Sequence, residues 1–343
     1  MSPEKNRIIL GCMNFGPDPK QGARVIDIPV AQAILRHLRS NGYDELDTAR
    51  IYVAGQSESF LAAADYKGLG FKLATKVYPT VPGTHTPEML RSKVRDSLTA
   101  LNTEDMDIFY LHAADRAVPF VDTLQTVNEL YKEGRFKTLG LSNYTAYEVA
   151  EIVTLCKERG WVRPKIYQAM YNPITRAIEK ELVPACRKYG LDLVAYNPLA
   201  GGFFTGRYDA THTDAPPESG RFSDTFPDQG STYRSRYFNE AHFSALLIVQ
   251  AAAAKENLTL VEISLRWLVH HSVLKHRRAG GNDGIIIGVS SLEQLDANLK
   301  DLEKGPLSAA VLEALDKAWK VSEDVCPTYW RGELKYTYDT TAE

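Results

Sequence analysis

Glu45-Leu46-Asp47-Thr48-Ala49-Arg50-Ile51-Tyr52 places an acid and a phenol at the end of a short apolar run. Phe71-Lys72-Leu73-Ala74-Thr75-Lys76 ends in an amine, and Asp107-Ile108-Phe109-Tyr110-Leu111-His112 ends in an imidazole. Ionisable residues at the carboxyl ends of consecutive buried strands are typical of the active site of a (β/α)8 barrel. Because a buried core rarely keeps a lysine and an aspartate without a use, these positions indicate catalysis. The candidate catalytic residues are Asp47, Tyr52, Lys76 and His112.

Outward from these runs, short β-type segments alternate with longer helical ones. The predicted strands cover residues 7–12, 46–49, 72–77, 107–111, 138–141, 166–170, 191–196 and 285–289. The predicted helices cover residues 29–40, 57–64, 86–98, 119–132, 146–159, 177–189 and 291–302. Helix-length connections imply that neighbouring strands run parallel. The pattern therefore predicts an α/β fold, a (β/α)8 TIM barrel formed by a single domain over residues 1–343.

Residues 201–239 interrupt this alternation after the seventh strand. The segment has no clear periodicity and is rich in Gly, Pro, Ser, Asp and aromatic residues. A connection of this length is usually functional, and its aromatic content argues against disorder. We predict a lid or cofactor loop over the barrel mouth. The tail, residues 325–343, contains Tyr329-Trp330-Arg331 and is predicted to contact substrate at the same mouth.

Composition narrows the class of protein. The chain has 343 residues, of which 44% are hydrophobic and 24% charged, as in an ordinary globular enzyme. Its net charge of −3 gives no basic field for nucleic acid or an anionic membrane. No apolar run suits a signal peptide or a membrane span, so a cytoplasmic protein is expected. Four widely spaced cysteines form no zinc motif, and no metal site is predicted.

The candidate residues have a shared chemical logic. A phenol has an ordinary pKa of about 10, which a nearby ammonium lowers, and a carboxylate can hold that ammonium in place. Tyr52, Lys76 and Asp47 supply these parts, while His112 can orient a substrate oxygen. Taken singly, each residue has a commoner structural role, such as packing, a surface charge or a helix cap. Their coincidence at three consecutive strand ends favours carbonyl reduction, with a nicotinamide as the hydride source.

With these residues in view, the chain strongly resembles the aldo-keto reductases. The family's aspartate, the tyrosine five residues later, and the lysine and histidine on the next two strands fall on the four candidate residues. The resemblance runs from Gly11-Cys12-Met13 to Tyr329-Trp330-Arg331. It implies reduction of aldehydes, or of ketones, by NADPH, with the proton coming from Tyr52.

The resemblance also assigns the cofactor elements. Ser142, Asn143 and Gln168 match the ligands of the nicotinamide carboxamide, and Tyr196 matches the aromatic stacked on the nicotinamide. The segment 197–207 resembles the loop over the pyrophosphate, and 288–298 resembles the adenosine-phosphate segment, where Gln294 stands in place of an arginine found in many relatives. The implied cofactor residues are Met13, Ser142, Asn143, Gln168, Tyr196, Asn197, Pro198, Leu199, Gly201, Gly202, Thr205, Gly206, Arg207, Gly288, Ser290, Gln294 and Asn298.

Within the family, the chain is most similar to the aflatoxin-aldehyde and succinic-semialdehyde reductase branch. Gly220-Arg221-Phe222 and the segment 233–238 carry part of this likeness. The residues it implies for a small aldehyde substrate are His112, Tyr233, Arg236 and Arg331. The chain differs from the branch by continuing through residues 332–343, where the branch tends to stop. Members of the branch often form dimers, so a homodimer is expected.

Two other functions share this sequence pattern. Regulatory beta subunits of potassium channels keep the fold, the cofactor and the four residues, yet serve mainly as partners. An aryl-alcohol dehydrogenase would use the same residues in the oxidative direction. The aromatic segment 201–239 and Arg331 favour an enzyme with its own small substrate.

Overall fold

The predicted barrel is confirmed by a computed structural model, which describes residues 5–213 and 216–340. Eight parallel strands close in sequence order, with β8 pairing back to β1. They are β1 Arg7–Gly11, β2 Glu45–Asp47, β3 Lys72–Val77, β4 Met106–Leu111, β5 Phe136–Ser142, β6 Ile166–Met170, β7 Asp192–Tyr196 and β8 Gly284–Gly288. The bounds of β3 and β6 agree with the predicted ones, and the other strands shift by one or two residues at one or both ends.

The barrel interior and the outer layer have separate apolar cores. Inside, a small cluster of inward-pointing side chains fills the space between the strands; it comprises Ile9, Ala74, Ile108, Tyr110, Ile166, Val194 and Ile286. Only glycine fits at Gly140, because a Cβ there would lie 2.3 Å from carbons of the Tyr110 ring. At the amino-terminal end, the buried Arg7 guanidinium donates to both carboxylate oxygens of Glu45. We therefore expect the active site at the opposite end of the barrel, where the carboxyl ends of the strands lie.

Helices cover the outside of the barrel. They are α1 Ile28–Ser40, α2 Ser57–Ala63, α3 Pro87–Ala100, α4 Phe120–Lys132, α5 Ala146–Glu158, α6 Leu182–Tyr189, α7 Pro227–Tyr237, α8 Glu240–Glu256, α9 Leu260–His270, α10 Leu292–Glu303 and α11 Ala309–Ser322. Thr145 and Glu148 form a reciprocal capping box that begins α5 directly after β5. The helix predicted over residues 177–189 is instead a short turn followed by α6. Pro184, which has no N–H to donate, fits the first turn of α6.

The segment 201–239 contains regular structure that its sequence did not predict. It includes the short 3-10 helix Ala200–Thr205 and the helix α7. Helix α7 buries Gly230, Tyr233, Arg236 and Tyr237, and this face mixes glycine, arginine and tyrosine rather than aliphatic residues. A hydrophobic periodicity is therefore missing from its sequence. Residues 214–215 of the predicted lid and 341–343 of the predicted tail lie outside the described residues.

Helices α8, α9 and α11 were also not predicted, and α8 and α9 follow the segment 201–239 in the chain. Helix α8 is apolar around most of its circumference and packs against α11, which explains its weak amphipathic pattern. Within residues 5–213 and 216–340, no helix has the length and hydropathy needed to cross a membrane.

Candidate active site

The structure brings the four candidate catalytic residues together at the carboxyl end of β2, β3 and β4. The fully buried Lys76 ammonium donates to Asp47 Oδ1 over 2.5 Å and to the Thr48 carbonyl over 2.7 Å. Its Nζ atom also lies 3.5 Å from the Tyr52 hydroxyl. The carboxylate thus fixes the ammonium, and the ammonium faces the phenol.

A strained loop presents Tyr52. The turn Tyr52–Gly55 contains Val53 and Ala54 at φ values of 50° and 49°, a left-handed conformation that is costly for a β-branched residue. Arg50 supports this loop from beneath by donating to the Gly55 carbonyl and, over 2.5 Å, to Glu58 Oε2. Several independent contacts therefore hold the phenol in a conformation that the local sequence alone would not favour.

Glu58 connects the loop to the strand that carries the lysine. Its carboxylate is fully buried, and it accepts a 2.7 Å hydrogen bond from Thr75, the residue before Lys76 on β3. Burial raises the pKa of the Glu58 carboxyl, and the Arg50 charge partly offsets this shift. The two hydrogen-bonded oxygens of one side chain thereby link the Tyr52 loop and the Lys76 strand.

His112 follows β4 and meets two aromatic rings edge-on. Its ring centroid lies 5.9 Å from that of Tyr52 and 5.4 Å from that of Tyr78. Its Nδ1 atom is buried and has no hydrogen-bond partner among the described residues. Burial, followed by the charges of Lys76 and Arg331, lowers the pKa of His112 well below its ordinary value. The imidazole is therefore neutral near pH 7 and has hydrogen-bonding capacity for a ligand.

The expected lowering of the Tyr52 pKa is wrong for the isolated site. Burial, followed by the Asp47 charge, raises the pKa of Tyr52 well above its ordinary value. The physical reason is that desolvation and the nearby Asp47 carboxylate both disfavour the phenolate, and the charge of Arg221 offsets only part of this shift. Tyr52 is consequently held in its protonated form. A negative charge developing on a bound oxygen is needed to draw the proton out.

The ends of β5, β6 and β7 form a polar wall that contacts the catalytic residues. Gln168 donates from Nε2 to Asp47 Oδ2 over 2.7 Å, and Ser142 donates from Oγ to the Gln168 carbonyl. Asn143 donates to the His112 carbonyl and accepts a 3.0 Å hydrogen bond from the Tyr196 hydroxyl. The four residues predicted to contact the nicotinamide thus lie in one connected network beside the tyrosine and lysine.

After β7 the chain makes a tight turn through most of the predicted pyrophosphate segment. Asn197, Gly201, Gly202 and Gly206 all adopt positive φ. At Gly201 the Tyr233 ring lies 2.4 Å from the place of a Cβ, so only glycine fits there. Hydrogen bonds anchor this turn, from Ser264 to the Pro198 carbonyl and from Thr205 to the Gly202 carbonyl. Leu199 is half-buried, and Arg207 is exposed at its far end.

The predicted adenosine-phosphate segment surrounds the start of α10. The Gln294 side-chain oxygen accepts from both the N–H and the hydroxyl of Ser290, at 2.9 and 3.0 Å. The amide nitrogen of Gln294 is consequently directed away from that pair. Asn298 lies one turn further along and is buried, whereas Gly288 is exposed at the end of β8.

Two arginines that were not predicted as site residues lie across the mouth. Arg221 donates to Met13 Sδ over 3.3 Å, and its Nη2 atom lies 4.0 Å from the place of a Gly288 Cβ. Desolvation and the nearby charge of Arg221 lower the pKa of Arg24 to about 10. Neither arginine forms an ion pair within the described part of the chain. Arg221 had a sequence signal in Gly220-Arg221-Phe222, whereas nothing in the local pattern distinguished Arg24.

Two of the predicted substrate residues, Tyr233 and Arg236, adjoin Arg221. Arg221 and Arg236 both lie over the Tyr233 ring, at 5.6 and 5.0 Å from its centroid. Arg236 is buried, and its Nε atom has no hydrogen-bond partner among the described residues. The Arg331 charge contributes to the lowered pKa of His112 and partly offsets the rise in the pKa of Tyr196, so this cation lies near both side chains. Arg331 thus lies near the neutral imidazole of His112, and Arg221 lies near the protonated phenol of Tyr52.

Known proteins match this chain over most of its length. A model of the aldo/keto reductase family matches residues 7–320. Aflatoxin B1 aldehyde reductase member 2 of Rattus norvegicus is 43% identical over 340 residues, covering 96% of this chain and 89% of the relative. Aldo-keto reductase family 7 member A3 of Homo sapiens is 40% identical, with 96% and 99% covered. Aldo-keto reductase pigE of Monascus ruber is 41% identical, with 94% and 96% covered.

Proposed function

This chain belongs to the aldo/keto reductase family, and from that premise we propose that it reduces aldehydes to alcohols with NADPH as hydride donor and Tyr52 as proton donor. The observation that carries the proposal is the contact of Lys76 with both Asp47 and Tyr52 beside a polar wall at the ends of β5 to β7. The three relatives, one named as an aflatoxin aldehyde reductase and two as aldo-keto reductases, support the reaction class.

The polar and cationic groups at the mouth fit a dinucleotide. Ser142, Asn143 and Gln168 offer amide and hydroxyl groups for a carboxamide, and the Tyr196 ring can lie against a nicotinamide. Arg221 and Arg24 have no carboxylate partner in the described residues, which suits a pyrophosphate or ribose phosphate. When bound, a nicotinamide supplies the hydride that this chain's own side chains cannot provide.

The protein's own residues manage the proton. Tyr52 is protonated in the isolated site because burial and Asp47 raise its pKa. As negative charge grows on a carbonyl oxygen next to the phenol, Tyr52 gives up its proton, and the Lys76 ammonium 3.5 Å away stabilises the resulting phenolate. Asp47 keeps the ammonium in place, and neutral His112 can donate a hydrogen bond that orients the carbonyl.

The cations around the mouth favour aldehydes that carry a negative group. Arg236 and Arg331 would bind a carboxylate, while Tyr233 would contact the body of the substrate. Ser290, Gln294 and Asn298, with Arg24 and Arg221 nearby, would receive the phosphate that distinguishes NADPH from NADH. The lid and the tail, 201–239 and 325–343, would enclose the bound pair, and the active chain would be a cytoplasmic homodimer.

Steady-state oxidation of NADPH by the purified chain tests this proposal. We expect turnover with nitrobenzaldehyde and with a carboxylate-bearing benzaldehyde, and a higher kcat/KM with NADPH than with NADH. Tight NADPH binding without turnover on any aldehyde would contradict it and favour a regulatory subunit. Faster oxidation of benzyl alcohols by NADP+ than reduction of any aldehyde, measured near pH 7, would favour the oxidative alternative.

A further inference from the structure

Arg331 is fixed through its main chain on both sides. Its N–H donates to the Asn143 carbonyl over 3.2 Å, and its carbonyl accepts from Arg116 Nη1 over 2.7 Å. Asn143 is the left-handed residue that ends the polar wall after β5. The peptide unit of Arg331 is therefore tied directly to the edge of the proposed nicotinamide site.

A buried ion pair holds the group that binds Arg331. Arg116 donates from Nε and Nη2 to the two carboxylate oxygens of Glu148, at 2.7 and 3.0 Å. Both side chains are almost fully buried. Glu148 Oε2 also accepts from the Thr145 N–H that begins α5. Because a bidentate pair with additional hydrogen bonds has one favoured geometry, Arg116 is a rigid support rather than a mobile surface cation.

The residues after Arg331 bind the same support. We define residues 332–337 as the C-terminal latch. The Tyr336 hydroxyl donates to Glu148 Oε1 over 2.8 Å and lies 3.0 Å from the Tyr147 hydroxyl, and its ring meets Phe120 edge-on. The Thr337 N–H donates to the Arg116 carbonyl, and Arg116 Nη1 reaches the Glu333 carbonyl as well.

A turn at Gly332 lets the chain fold back onto Arg116. Gly332 adopts a φ of 73°, and the place of its Cβ lies 3.4 Å from Arg116 Nη1. A glycine is the residue for which this left-handed conformation carries no steric cost. Anchors on both sides of the turn, at Arg331 and at Tyr336, therefore restrict how far Arg331 can move.

We infer that the C-terminal latch positions Arg331 as a preformed receptor for the carboxylate of anionic aldehydes. The Arg331 side chain lies beside Tyr196 and near His112, and it forms no ion pair within the described residues. A flexible arginine would have to be ordered each time a substrate bound, whereas a latched one is ordered beforehand. Tyr336 and Arg116 are positioning residues in this account. The inference rests on the proposed aldehyde reduction.

Paired substrates and variants separate positioning from general damage. The substrates are 4-carboxybenzaldehyde and its neutral methyl ester, methyl 4-formylbenzoate, each tested with saturating NADPH. The variants are a chain ending at Arg331, Tyr336→Phe, and the matched control Lys335→Ala, whose side chain is exposed within the same segment. Arg331→Met provides the reference for complete loss of the cation.

We expect ending the chain at Arg331 to lower kcat/KM for the carboxylate by about tenfold, mainly through KM, with the ester within about twofold. Tyr336→Phe should lower the carboxylate value by about threefold, and Lys335→Ala should change neither substrate. In the Arg331→Met background, Tyr336→Phe should no longer alter the ratio of the two substrates. Equal losses for both substrates, or an unchanged ratio on truncation, would overturn the inference.

A second measurement does not depend on turnover. Amide hydrogen exchange in a peptide covering residues 328–333 reports the Arg331 N–H, which is protected by the Asn143 carbonyl. Tyr336→Ala should accelerate this exchange by about tenfold, whereas Lys335→Ala should not. Unchanged protection in Tyr336→Ala would show that the latch does not fix Arg331. A full-length chain that reduces neither aldehyde would refute the proposed function, while exchange would still decide the latch.

Discussion

Two buried arginine–glutamate pairs support different segments at the same mouth. Arg50 and Glu58 lie eight residues apart in one βα unit, and they hold the loop that presents Tyr52. Arg116 and Glu148 lie 32 residues apart, and Arg116 reaches a carbonyl 215 residues away, at Arg331. The first pair therefore forms within a local unit, whereas the second binds a segment that is distant in sequence, near the carboxyl end of the chain. We expect the local pair to control the chemical step and the distant pair to control substrate selection.

The largest expected effect is that of replacing Lys76, whose ammonium contacts both Asp47 and Tyr52. Lys76→Met leaves Asp47 buried without its cation and removes the charge that stabilises the Tyr52 phenolate. We expect kcat to fall by about a hundredfold or more for charged and neutral aldehydes alike. Steady-state kinetics with both substrates checks this. A loss confined to the carboxylate substrate would contradict the claim that the Tyr52 side controls the chemical step and not substrate selection.

Glu58→Gln tests the local pair without touching the reacting groups. The change leaves the largely buried Arg50 guanidinium without its carboxylate, which should cost about 3 kcal/mol of unfolding free energy. The Tyr52 loop should loosen, lowering kcat by about tenfold for both aldehydes. Urea unfolding and kinetics report the two effects.

The matched control for that substitution is Glu129→Gln. Glu129 pairs with Arg91 at the surface, where both side chains are more than a third exposed, so its loss should cost less than about 1 kcal/mol. If Glu58→Gln kept the parental kcat while losing stability, the pair would be a structural support with no part in positioning Tyr52.

Glu148→Gln provides the mirror experiment on the distant pair. It should also cost about 3 kcal/mol, because Arg116 is buried and α5 loses part of its capping box. Here kcat/KM should fall by about fivefold for 4-carboxybenzaldehyde and stay within about twofold for the methyl ester. Steady-state kinetics with the two substrates checks this. If Glu148→Gln and Glu58→Gln changed the ratio of the two kcat/KM values equally, the two pairs would not differ in function.

The smallest expected effect is that of pH. Tyr52 must be protonated to act as the acid, and its pKa is raised, so alkaline pH removes no activity until well above its ordinary value of about 10. The pKa of His112 is lowered, so the imidazole stays neutral above its ordinary value of about 6.5. The rate of reduction at saturating substrate should therefore vary by less than about twofold between about pH 6.5 and 9. A rate of reduction that changed with an apparent pKa near 7 would show that a group other than Tyr52 donates the proton.

The same contrast between local and distant contacts explains what the sequence could predict. The barrel was predictable because each strand is a short apolar run, and Lys76 and His112 stood out because they end such runs. Helix α7 was missed because arginine and tyrosine form its buried face. Its spacing therefore carries no aliphatic periodicity that could be recognised.

Contacts between distant segments left no local signal. The support of Arg331 by Arg116 joins the segment after β4 to a carbonyl 215 residues later, and the approach of Arg24 to Arg221 depends on the closed barrel. The direction of the Tyr52 pKa shift could not be read from the sequence either, since it depends on how burial and the Asp47 charge outweigh the opposing charge of Arg221. Spacing shows which groups are present, whereas the folded environment sets their protonation.

The most direct test of the account compares cofactor binding with turnover in Tyr52→Phe, which removes one hydroxyl and keeps the ring. NADPH affinity, followed by quenching of tryptophan fluorescence, should stay within about threefold of the parent because the polar wall and arginines are intact. Aldehyde reduction should fall by about a hundredfold or more. Parental turnover in Tyr52→Phe, with NADPH still bound, would contradict the assignment of Tyr52 as the proton donor.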